Sequence, residues 1–76
     1  MMHTLHVDSR EPGDRLDTFV SPDAALGLMV WRNAVLKSPG RNWFLLDEAG
    51  GTVAAWYAPR AVEIVSERLL TREVSA

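Results

Sequence analysis

A chain of 76 residues without cysteine has no disulfide framework and no thiolate metal site, and a domain of this size buries only about 60% of its unfolded surface. An apolar share of 47% argues against disorder throughout and for a folded globular domain. A formal net charge of −2 is far from the strongly basic footprint of a nucleic-acid binder.

Residues 3 to 8, HTLHVD, alternate. His3, Leu5 and Val7 point one way and Thr4, His6 and Asp8 the other, as in a half-buried strand. SREPGD then reads as a turn, because proline and glycine together stop the strand and permit reversal. RLDTFV, residues 15 to 20, reads either as a second short strand with Leu16, Thr18 and Val20 on one side or as an extended lead into the next element.

A helix is expected over about 22–37. Ser21 can cap it, Pro22 suits the first helical position, Asp23 complements the positive end of its dipole, and Lys37, Ser38, Pro39 and Gly40 end it. At about 100° per residue, Ala24, Leu28, Trp31 and Val35 form one stripe. Ala25, Met29 and Leu36 lie beside it, and Leu26 and Val30 fall almost opposite. The helix is apolar on more of its circumference than one packed stripe requires.

NWFLLDEAGGTVAAWYAP, residues 42 to 59, reads as a β-hairpin with DEAGG as its loop, where glycine supplies the positive φ that such loops need. If Asp47 pairs with Thr52, Trp43 lies across from Trp56; a slip of one residue puts Phe44 opposite Trp56 and Trp43 opposite Tyr57. Either register leaves an aromatic group on both faces. Beyond Pro59, RAVEIVSERLLTREVSA is ambiguous: VEIVS suits a third hairpin strand followed by a short helix or tail, whereas Val62, Val65 and Leu69 sit at helical spacing. The expectation is therefore a single α+β domain spanning 1–76, with a small antiparallel sheet of three to four short strands, including hairpin 42–58, packed on one helix, with an optional short C-terminal helix.

Few constellations carry chemistry. His3, His6 and Asp8 are metal-ligand types, but positions three apart in a strand face opposite ways, so no metal site and no cofactor is expected. The acids of DSREPGDRLD are interleaved with Arg10 and Arg15 in a turn and read as a solvated loop, not as tuned acid–base groups. With no cysteine and no histidine near a serine at a suggestive spacing, no nucleophile has an identifiable activator, and no catalysis is expected. Arg32, Lys37 and Arg41, near Trp31 and Trp43, offer an alternative reading as a phosphate-plus-stacking site of a nucleic-acid-associated accessory protein.

The two-faced hairpin drives the functional expectation. One helix covers one face of a sheet, and a second apolar face left in water forms the kind of patch that marks an interaction site. The chain is expected to be a non-catalytic protein-binding module, a regulator or inhibitor occupying a partner's surface and self-associating as a homodimer. Its contact residues would be Trp31, Trp43, Trp56, Tyr57, Leu45, Arg32 and Arg41, since aromatics and arginine dominate binding hot spots. The N-terminal stretch has no signal-peptide pattern and no apolar run is long enough to span a bilayer, so a cytoplasmic protein without a membrane partner is expected.

Overall fold

The computed structural model describes residues 2–21 and 23–66, without the side chains of 17–21. Five strands form one antiparallel sheet: β1 (His3–Val7), β2 (Arg15–Ser21), β3 (Trp43–Leu46), β4 (Thr52–Tyr57) and β5 (Val62–Val65), in spatial order β2-β1-β3-β4-β5. Among the described residues one α-helix, α1 (Ala24–Lys37), lies over β1 and β3. The architecture is thus the expected α+β domain with a wider sheet. RLDTFV and VEIV, both ambiguous in the sequence, are strands, while the short helix considered for the C-terminal tail falls outside the described residues.

The helix starts slightly later than expected. Asp23, not Ser21, is its N-cap: Asp23 Oδ1 accepts the Ala25 N–H at 2.9 Å, while Ser21 belongs to β2, where it lies opposite His3. A sheet pairing at the edge of β1 holds Ser21 in extended backbone, and the next side chain able to accept an N–H takes the cap. The expected stripe is the packed one. Leu28 and Trp31 are buried, with Ala24 and Val35 partly buried beside them against Leu5, Trp43, Leu45 and Ala54. Gly27, also buried, brings the helix backbone close to the sheet; a Cβ there would stand 3.4 Å from both terminal methyl groups of Leu45.

The hairpin takes the first of the two expected registers. Trp43 lies opposite Trp56, Phe44 opposite Ala55 and Leu45 opposite Ala54, and an irregularity then shifts Leu46 opposite Thr52. Its loop is held by Asp47, whose Oδ1 accepts the N–H groups of Ala49 at 3.0 Å and Gly51 at 2.8 Å, while Gly50 takes φ 84°. An aspartate that bonds the backbone two and four residues on closes this turn locally.

Aromatic groups do occupy both faces, and each face has its own cover. Trp43 and Trp56 lie on the helix side. Phe44, Leu46 and Ala55 form a second buried cluster on the other. There the Arg10 guanidinium sits 5.7 Å from the centre of the Phe44 ring and Tyr57 meets that ring edge-on at 5.6 Å, a cation–π and a T-shaped contact. The segment carrying Arg10 is tied down by His6, whose Nδ1 donates to the Glu11 carbonyl at 3.2 Å and whose Nε2 lies 3.0 Å from Thr4 Oγ1. The turn between β1 and β2 therefore shields much of what the helix does not reach.

The same turn leaves β1 through Asp8, which adopts φ 72°, a left-handed conformation that aspartate tolerates better than most residues. Arg41 grips its carboxylate with Nε at 3.1 Å and with Nη2. This hydrogen bond, reinforced by the guanidinium charge, holds Asp8 below its ordinary carboxylate value and raises Arg41 in turn. A carboxylate depressed in the folded state stabilises the fold at pH above its unfolded value, and that contribution is lost as pH falls through the folded value. The Asp8→Asn variant, which keeps the left-handed turn but not the charge, is expected to unfold at lower urea than the native chain near neutral pH. The gap between the two midpoints should close on acidification below the ordinary carboxylate range. A gap that stays constant into strong acid would show that the charge contributes nothing.

Candidate protein-binding surface

The expected contact residues divide into enclosed and accessible groups. Trp31 and Leu45 are 0% exposed and Trp43 is buried. All three indole N–H groups donate to backbone carbonyls: Trp31 to Trp43 at 3.0 Å, Trp43 to Ser38 at 2.9 Å and Trp56 to Pro39 at 2.9 Å. The tryptophans thus latch α1 and the connection that follows it onto the sheet. Trp31, Trp43 and Leu45 are packing residues of this protomer and present no contact surface. Trp56 is half-buried on the same face.

Tyr57, Arg32 and Arg41 reach solvent at separate places. Tyr57 borders an open depression of about 380 Å³ with Asn42, Pro59, Arg60 and Val62. Arg41 is engaged by Asp8, and Arg32 lies 3.9 Å from Glu63 on β5. Two of the three cations considered for nucleic acid thus face carboxylates, and the tryptophans beside them are turned inward. His3 and His6 lie on opposite faces of β1: His3 packs toward Gly27 of the helix, whereas His6 meets the Glu11 turn. Among the described residues no group of three His, Cys, Asp or Glu side chains could hold a metal ion, and no helix is long and apolar enough to cross a membrane.

The outer side of α1, a helix whose apolar circumference beyond one packed stripe made it an expected contact element, carries apolar residues that the sequence reading did not name as contacts. Leu26, Met29 and Leu36 are 45%, 58% and 79% exposed. At 100° per residue they fall within one arc of the helix, with Asn33 and Lys37 in the same arc. The sequence signal was present, since Leu26 falls almost opposite the packed stripe and Met29 and Leu36 to one side of it. It was outweighed by the aromatic residues, which are the commoner anchors. A second exposed apolar set, Tyr57, Val62 and Ile64, lies at the β5 edge, on the sheet face away from the helix.

Comparison with known proteins adds no relative: no protein-family model, no curated protein and no solved structure matches the chain.

Proposed function

We propose that the protein is a non-catalytic protein-binding module, a small regulator or inhibitor that covers a partner protein's surface with the outer side of α1, and that it also self-associates. The exposure of Leu26, Met29 and Leu36 along one arc of a helix whose opposite arc packs on the sheet carries this reading. Burying a large aliphatic side chain is worth roughly 1.5–3 kcal/mol, so a surface that holds three of them in water on one rigid element has much to gain from an apolar groove. Helices that dock in this way present anchors at spacings of three, four and seven. Leu26, Met29 and Leu36 follow that rhythm, with Lys37 available at the end of the stripe for an acidic or carbonyl group on the partner. The non-catalytic part is supported by the separation of the two histidines and by the engagement of His6 in the turn it fastens.

The Met29→Glu/Leu36→Glu double variant tests the reading. Both side chains are largely solvated, so folding stability should change by no more than about 0.5 kcal/mol per site. Affinity capture from an extract of the native host with the tagged full chain should retain a protein that the double variant loses. Identical capture by the two forms would refute the helix as the docking element.

A further inference from the structure

We propose that two copies of the chain pair through β5 in an antiparallel, two-fold arrangement centred on Ile64, joining their sheets edge to edge. This extends the self-association proposed above and uses a surface separate from the helix stripe, so either can fail without the other.

The backbone defines the pairing. Among the described residues β5 is the last strand of the sheet and pairs only with β4. Ser66 N–H donates to the Val53 carbonyl at 2.8 Å, and in an antiparallel ladder successive residues direct their N–H and C=O groups to alternate sides. Ile64, opposite Ala55, and Val62, opposite Tyr57, therefore direct theirs toward β4, while Glu63 and Val65 direct theirs away from the sheet. Unpaired groups in a row at a sheet edge are a template for another strand. VEIV has no proline, no lysine and no bulge to blunt the edge; only its shortness and one charge, Glu63, which faces Arg32 on the helix side, do so.

Charge then selects the register. With the two-fold axis normal to the sheet, the registers that pair three residues of each β5 set Glu63 opposite Glu63 or Glu63 opposite Val65. The first sets two carboxylates face to face, which is destabilising in a cross-strand pair. The second sets each carboxylate beside a valine, leaves each Arg32–Glu63 pair intact, and places Ile64 against its own copy as the close, non-hydrogen-bonded pair. Ile64 is 54% exposed in the single chain, and this contact covers it. It also joins the two sets of Val62 and Tyr57 into one apolar strip on the face that α1 does not occupy. The helices, over β1 and β3, stay clear of the seam.

Sedimentation of the full chain across a dilution series, combined with cysteine cross-linking, tests this. The native chain should dimerise reversibly at high micromolar concentration, since so short an edge buries less than a standard interface of about 1,600 Å². Ile64→Lys should weaken the dimer at least tenfold. Glu63→Pro should do the same while keeping the far-ultraviolet circular dichroism of the native fold, because it deletes an outward N–H and no bond to β4. Because the chain has no cysteine of its own, the Ile64→Cys variant should oxidise to a covalent dimer across a Cβ separation of about 5 Å. The Val62→Cys variant should not, its copies lying roughly 13 Å apart in this register. A native chain that remains monomeric up to about 1 mM, where even a weak complex forms, would overturn the proposal. So would dimerisation that Ile64→Lys leaves unchanged, or cross-linking through position 62 instead of 64. Loss of dimerisation with host-protein capture intact would leave the helix reading standing.

Discussion

The Trp31→Ala variant is expected to lose about 4 kcal/mol of folding stability, against a total of roughly 4–11 kcal/mol for a chain of this length. Trp31 is fully enclosed and is the largest side chain between α1 and the sheet. Its removal opens a cavity that the helix, tied at both ends, cannot close, and it deprives the Trp43 carbonyl of its 3.0 Å donor. Trp43 stands opposite Trp56 in the β3–β4 ladder, so its carbonyl keeps a backbone partner, and the lost bond adds a further share of about 0.5–1.5 kcal/mol. Trp31→Phe separates the two effects, since it keeps most of the ring volume and deletes only the donor, so its loss should be clearly smaller. Urea unfolding followed by circular dichroism gives both values. A Trp31→Ala midpoint close to the native one would mean that the indole does not hold helix and sheet together.

Leu45→Ala is expected to cost about 2–5 kcal/mol, because Leu45 is 0% exposed on β3, the central strand of the sheet. This loss should depend on what stands at position 27. In the native background Gly27→Ala gains up to about 1 kcal/mol of helix propensity but presses its new methyl against the two Leu45 methyl groups 3.4 Å away. The net change should be small. Once Leu45 is truncated, the same methyl enters vacated space and the propensity gain is realised in full. The double-mutant cycle should therefore show favourable coupling of at least about 0.5 kcal/mol, in the range found for residues in contact. Strictly additive effects would contradict the close approach of helix and strand at this point.

Much of this packing was legible in the sequence because it is periodic. Leu28 and Trp31 lie on the stripe that a 100° repeat picks out, and Trp43 faces Trp56 as the first hairpin register expects, although Thr52 stands opposite Leu46 and not Asp47. What periodicity misses is contact between distant irregular segments. The second aromatic face of the hairpin was expected to need a partner, yet the guanidinium of Arg10 and the ring of Tyr57 lie against Phe44. Arg10 reads as a turn charge, and nothing local shows that its turn folds back over β3. Residue type misleads in a related way. Tryptophan suits a core and a hot spot equally, and only the tertiary bonds of the three indoles assign them to the core. Once they are assigned there, the plain aliphatic groups Leu26, Met29 and Leu36 remain as the largest apolar exposure on the helix.

The most direct measurement of the docking role is a photo-reactive amino acid placed at position 36 on the outer face of α1, with position 48 in the exposed hairpin loop as control, irradiated in living cells of the native host. The account predicts a discrete adduct with another protein from position 36 and none from position 48. No adduct at 36, or the same adducts from both positions, would contradict it.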